Sequence, residues 1–119
     1  MKCYLDEYGN PRVHVTLLGS RAAIESEALI DTGFEGDITA PVSVAIQLGL
    51  ELIELTKVEL ADGTVKEELI FLGAIRWDGE ERDIRIMLTS SDEALFGRGL
   101  LQGKRLAMDF RTSEIEITS

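Results

Sequence analysis

Two Asp-Gly pairs, Asp62-Gly63 and Asp78-Gly79, constrain the fold of this chain more than any other feature. Flanked by alternating apolar residues, Asp-Gly is the strongest short-range signal for a two-residue hairpin, whose turn needs positive φ at both positions. The pairs bracket Thr64 to Trp77, which reads as the return strand of one hairpin, with a break at Gly73, leading into the next. Beyond the second pair, Asp83-Ile84-Arg85-Ile86-Met87-Leu88 alternates, with Ile84, Ile86 and Leu88 inward. Before the first, Leu50 to Ala61 mixes β-branched and acidic residues and reads as the partner strand.

The rest of the chain follows the same grammar. Tyr8-Gly9-Asn10-Pro11 is a turn cluster, so the chain opens with a hairpin. Arg12-Val13-His14-Val15-Thr16-Leu17 then alternates, burying Val13, Val15 and Leu17 and leaving His14 on the polar face. Leu18 to Arg21 turns, and Ala22 to Ile30 extends. After a short extended piece at Ile38-Thr39-Ala40, Pro41 suits the first position of a helix that runs to Leu48 and stops at Gly49. Thr89 to Glu93 is a polar loop, and Arg98 to Gln102 a short helix ended by Gly103. Leu106, Met108 and Phe110 line one face of a strand, and Ile115 and Ile117 a last one from Glu114 to Thr118. Many short strands, regular turns and one or two short helices specify an all-β barrel or sandwich-like domain.

Composition narrows the function classes. At 119 residues the chain is a single domain able to bury its own core, and 45% apolar with 29% charged residues suits a soluble protein. The formal charge of −10, from 12 basic and 22 acidic side chains, excludes nucleic acid as a natural partner because phosphates would be repelled. No apolar run approaches the ~18 residues that span a bilayer. Met1 to Glu7 lacks the apolar core of a signal peptide, so the expected location is cytoplasmic and no membrane partner is expected. Cys3 is the only cysteine and His14 the only histidine, which leaves no metal-ligand set and no basis for a Cys–His nucleophilic pair.

The chemistry concentrates in Ala28-Leu29-Ile30-Asp31-Thr32-Gly33-Phe34-Glu35-Gly36, where an apolar strand ends in an acid, a hydroxyl and a glycine. A carboxylate at the edge of a core must be paired, hydrogen-bonded or proton-sharing. Gly33 lets the backbone turn and present N–H groups to Asp31, and Thr32 can offer its hydroxyl to a neighbour or a partner chain. Taken alone, such a triplet is as well explained by an ordinary turn. Ala94-Leu95-Phe96-Gly97 repeats its grammar in weaker form, an apolar run stopped by glycine.

Leu29-Ile30-Asp31-Thr32-Gly33 together with Leu95-Phe96-Gly97-Arg98-Gly99-Leu100-Leu101 resembles the retroviral-type, or retropepsin-like, aspartic proteases. Phe34-Glu35-Gly36 and Ile38-Thr39-Ala40-Pro41 look like a prokaryotic branch of that clan, marked by Asp-Thr-Gly-Phe. The likeness runs from about Val13 to Phe110, with its parts in the expected order. It implies a retropepsin-like acid-protease barrel with a central hairpin flap and an aspartic endopeptidase activity. Asp31 would be the catalytic carboxylate, Thr32 the brace between two catalytic loops, and Gly33 a binder of substrate backbone. Phe34, bulkier than the small residue most retroviral members carry, would narrow the cleft or line a subsite, beside Glu35. Leu95, Phe96 and Gly97 would support the catalytic loop, Arg98 would pair with Glu35, and Ala61, Asp62, Gly63 and Thr64 would form the flap.

The resemblance calls for no cofactor and no metal. Its chemistry needs two carboxyl groups sharing one proton, whose pKa values separate because neighbouring acids cannot both ionise. This chain has one Asp-Thr-Gly, so the second acid must come from another copy in a C2 homodimer acting on a peptide or protein substrate at mildly acidic pH. Retroviral chains end near Phe110 and build the dimer sheet there. This one continues to Ser119, which leaves its dimer interface open. The competing reading is a non-catalytic binding or dimerisation module on the same fold.

Overall fold

The computed structural model describes residues 3–119, in which ten strands and two short helices follow one another. The strands are β1 Cys3–Leu5, β2 Pro11–Leu18, β3 Ala23–Ile30, β4 Ile38–Pro41, β5 Glu51–Glu59, β6 Val65–Trp77, β7 Glu80–Thr89, β8 Leu95–Phe96, β9 Arg105–Asp109 and β10 Glu114–Thr118. Helix α1 is Val42–Leu48 and α2 is Arg98–Leu101. Eight strands form one sheet in the order β1-β2-β3-β8-β4-β7-β6-β5, and an added β2–β6 pairing closes six of them into a barrel. Closure answers the barrel-or-sandwich alternative. It is possible because β1 covers only Pro11–Val13 of β2, leaving Thr16–Leu18 to meet Arg76, Ile75 and Ala74 of β6.

Both hairpins form, but only the second has the two-residue turn: at the first, Gly63 alone of the Asp62-Gly63 pair has positive φ and five residues join β5 to β6. Asp78 and Gly79 take φ of 54° and 75°, the left-handed pair that a tight turn between β6 and β7 requires. The β5–β6 turn closes through Leu60 N–H to Thr64 O and Gly63 N–H to Leu60 O. Lys57 to Glu67 of this hairpin pair only with each other, so its tip projects beyond the closed barrel.

The expected break at Gly73 does not occur. β6 runs through it without interruption, pairing Gly73 with Ile84. The glycine is there for space: a Cβ would lie 2.6 Å from Ile86 Cδ1. Pro41 also differs from expectation, ending β4 and preceding α1 with ψ of 150° rather than occupying its first turn. Gly49 does end that helix, its N–H bonding Ala45 and Ile46 carbonyls from a left-handed φ of 69°. Phe110 lies past the end of β9 and is exposed, so it does not share the strand face of Leu106 and Met108.

Alternation fills the barrel. Val13, Val15 and Leu17 of β2, Ala28 and Ile30 of β3, Ile75 and Trp77 of β6, and Ile84 and Ile86 of β7 are all buried. Phe96 is at the centre, fully buried, its ring 4.8 Å from that of Trp77 in an edge-to-face contact. Lys104 Nζ lies 5.2 Å from the centre of the Trp77 ring. The opposite faces of β6 and β7 carry Ile70, Arg85 and Met87, outside the barrel. No helix among the described residues is long and apolar enough to cross a membrane.

Candidate active site

The segment from Asp31 to Asp37 leaves the barrel at the end of β3 and returns as β4. Its two ends are held by one short strand. β8 pairs parallel with β3, Leu29 to Leu95 and Ile30 to Phe96, and antiparallel with β4 through Ile38 to Phe96. The Asp31 N–H donates to Phe96 O at 3.0 Å, and Leu29 N–H to Ala94 O at 2.9 Å. An apolar strand that must bury Phe96 therefore sets where Asp31 emerges.

Within the loop, Gly33 N–H donates to Asp31 Oδ1 at 2.9 Å and Phe34 N–H to Asp31 O at 3.1 Å. The carboxylate is half-buried and turned back on its own loop, while Thr32 and Gly33 are exposed. A backbone N–H bonded to one carboxyl oxygen fixes the orientation of the side chain.

The support segment meets the loop backbone to backbone. Gly97 N–H donates to Asp37 O at 2.8 Å, Arg98 N–H to Phe34 O at 2.8 Å and Gly99 N–H to Gly36 O at 3.0 Å. Such close approach leaves no room for side chains. A Cβ on Gly97 would lie 2.1 Å from Gly36 O, and one on Gly36 2.7 Å from Phe34 Cζ. The Phe34 ring thus rests over two glycines. Arg98 reaches Glu35, with Nη2 to Oε1 at 3.4 Å, although Glu35 is largely exposed and such a pair contributes little by itself.

Two residues outside the expected set complete the frame. Buried Thr39 accepts Leu95 N–H through Oγ1 at 2.8 Å. Asp37, which from sequence suits a plain turn, accepts Arg85 N–H through Oδ2 at 3.0 Å besides holding Gly97. Its position just before an apolar strand was the only available signal. Farther out, Glu93 binds the Arg12 guanidinium, and Asp6 binds it too at 3.1 Å, tethering the loop before β8 to β1 and β2. The hydrogen bond that Arg12 donates to the Glu93 carboxylate is the foremost cause holding its pKa above the ordinary value.

A cavity of about 610 Å³ opens beside the loop. Phe34, Glu35, Gly36 and Asp37 form one wall, and Thr56, Ile70, Arg85 and Met87 of β5, β6 and β7 the other. Its floor is apolar, and Arg85 is tied to Glu54 at 2.9 Å at its margin. The β5–β6 hairpin contributes its root to this wall. The tip, Ala61 to Thr64, is exposed and lies outside the lining. That tip is stiffened by Asp62, whose Oδ1 accepts both Thr64 Oγ1–H at 2.7 Å and Thr64 N–H at 3.0 Å. Those bonds, the hydroxyl's foremost, hold the Asp62 carboxyl below its ordinary range.

The other reactive side chains stand apart. Cys3 packs against β10, its Sγ 3.7 Å from Ile115 O, and burial pushes its thiol pKa up. His14 faces Glu27 at 2.8 Å on the outer surface of β2 and β3, so the two do not meet. No cluster able to hold a metal occurs among the described residues.

No protein-family model and no curated sequence matches the chain. Solved structures do. A retropepsin-like aspartic protease from Rickettsia conorii superposes with a TM-score of 0.71 at 18% identity, covering 98% of this chain and 86% of that one. EIAV protease in an inhibitor complex gives 0.59 at 17% identity, over 82% of this chain and 89% of that one. Simian foamy virus (mac) protease gives 0.58 at 12%, over 76% and 90%. At such identities the likeness is one of architecture: the chain has the retropepsin-like aspartic protease fold.

Proposed function

We propose that this chain is one half of an aspartic endopeptidase that completes its active site by pairing with a second copy. The observation that carries this reading is the Asp31 loop. A single half-buried carboxylate is held by Gly33 N–H, its loop is braced by Leu95, Phe96, Gly97 and Arg98, and the same loop lines an open, mainly apolar cavity from Phe34 to Asp37. A framework of this density around one acid is more than a turn requires.

The chemistry follows from two Asp31 carboxyl groups brought to about 3 Å, where they share one proton; aspartic proteases are the standard case of such sharing. The ionised carboxylate takes a proton from water as the oxygen attacks the peptide carbonyl. The protonated one donates to the carbonyl oxygen, giving a neutral tetrahedral diol. Proton transfer to the nitrogen and loss of the C–N bond then release an amine and a carboxylic acid. Thr32 braces the two loops across the axis, Gly33 meets the substrate backbone, and the Phe34 wall receives a substrate side chain. The hairpin tip at Ala61, Asp62, Gly63 and Thr64 closes over the peptide.

Cleavage of a peptide library at pH ~4 to 6 tests this. Asp31→Asn is expected to lower turnover by about a thousandfold or more, with stability intact. Cleavage unchanged by that substitution sinks the assignment. Peptide binding with no turnover in either protein favours a binding module on the same fold.

A further inference from the structure

Val42 and Ile46 of α1 are 48% and 66% exposed, and Leu52 and Leu55 of β5 are 53% and 56%. Strand register joins the two leucines into one surface. Leu52 stands opposite Phe71 and Leu55 opposite Leu69, so all four share one face of the β5–β6 hairpin. The leucines are three apart, and the bulge between Leu52 and Glu54 supplies the extra residue that returns Leu55 to that face. The opposite face carries Thr56 and Ile70, which line the cavity beside the Asp31 loop. The leucines are therefore on the back of the hairpin. At their inner end Phe71, with Val42, Ile46, Leu50 and Leu88, walls a groove of about 290 Å³ between hairpin and helix. α1 packs mainly on β3, β4 and β7, and Leu52, Leu55 and Leu69 stay exposed beside it. Large exposed apolar patches mark sites of association. A bare sheet face next to one short helix is half a layer, which a second helix would complete.

Charge decides what kind of helix fits. Between Glu51 and Leu72 the hairpin carries six acidic side chains against two basic ones, Lys57 and Lys66. On the leucine face itself, Glu59 and Glu67 stand with Lys57, and Arg21 lines the groove at its α1 end. A second copy would bring one acidic hairpin against another, on chains that each carry −10. A cationic partner meets the opposite field, which favours encounter and suppresses self-pairing.

We propose that the back of the β5–β6 hairpin and the adjoining side of α1 form a docking site for a basic amphipathic helix of another protein. Its apolar stripe rests on Ile46, Leu52, Leu55 and Leu69, and its Lys and Arg flanks lie beside Glu59 and Glu67. The site is on the far side of the hairpin from the Asp31 cavity, so it stands whether or not the chain cleaves peptides. A helix held there braces the hairpin from behind.

The probe is a synthetic peptide of about 18 residues, with leucines at helical spacing i, i+3, i+4 and i+7 and lysines between them. Its control is the same peptide with glutamates in place of the lysines. Each is titrated into the full-length protein at pH ~7, where the hairpin carboxylates are ionised. Protein amide shifts report where it binds, and circular dichroism whether the peptide becomes helical. The lysine peptide is expected to bind as a helix and shift amides of α1 and the β5–β6 hairpin. The glutamate peptide is expected to bind about tenfold more weakly or less. Ile46→Asn and Leu55→Asn, both at exposed positions, are each expected to weaken the lysine peptide about tenfold, with the fold intact by circular dichroism. Glu67→Lys is expected to narrow the gap between the two peptides. Shifts centred on residues 31–37, equal binding of both peptides, or indifference to both apolar substitutions overturns the proposal. Loss of self-association in Leu55→Asn by sedimentation gives the face to a second copy, and overturns it too.

Discussion

Gly97 is the residue with the least freedom in the site. A methyl group there would meet Gly36 O at 2.1 Å and Phe34 Cδ2 at 2.6 Å, backbone on one side and an aromatic ring on the other. Gly97→Ala is expected to cost about 1–3 kcal/mol in denaturant unfolding, because the loop has nowhere to retreat without breaking the Gly97 to Asp37 bond. Asp62 makes a different kind of prediction. Its carboxyl is held below its ordinary value of 3.8, so its contribution to the hairpin tip is present above that value and lost as pH falls through the lowered one. Across pH ~4 to 6 the tip should keep its bonds, and the Thr64 amide shift followed by NMR should move only at lower pH. Asp31, Thr32 and Gly33 stood out from the sequence by residue type. Thr39 and Asp37 did not, because their roles depend on which backbone N–H lies opposite, and Leu95 and Arg85 are far away in sequence.

Among the elements, β8 does the most with the least length. Two residues bridge β3 and β4 and carry Phe96 into the core. Its only side-chain anchor from β4 is Thr39 Oγ1, so Thr39→Val, nearly isosteric, should leave Leu95 N–H without a partner and cost about 1–3 kcal/mol. The hairpin of β5 and β6 divides into a root inside the sheet and a tip beyond it. Amides from Lys57 to Lys66 are expected to exchange faster than those from Ile70 to Trp77, where β7 pairs with the other edge. Uniform protection along β6 would show that the tip is as firmly held as the barrel. The hairpins were legible because Asp-Gly is a local signal. The break assigned to Gly73 was a misreading of a local signal, since that glycine answers to Ile86 on the next strand.

For the whole molecule, the proposed pairing of two Asp31 loops predicts that proteolytic activity per molecule rises with concentration through the dimerisation range. With −10 on each copy, added salt should shift that range downwards by screening the repulsion. An activity strictly proportional to concentration down to where sedimentation shows monomer would break the link between Asp31 and a second copy. The closed barrel was only half legible from sequence. Alternation in β2, β3, β6 and β7 marks inward faces, but pairing of β2 with β6 joins segments that no local pattern connects.

By itself the sequence determined the strands, their turns, the inward residues and the presence of a single Asp-Thr-Gly, because these depend on residue type and on spacing of a few positions. Tertiary structure decided that the sheet closes, that β8 and Gly97 hold the Asp31 loop, and that the cavity wall is shared between Phe34 and the outer face of β6 and β7. Those features depend on close approach between distant segments, and packing distances are not written in any one stretch of chain.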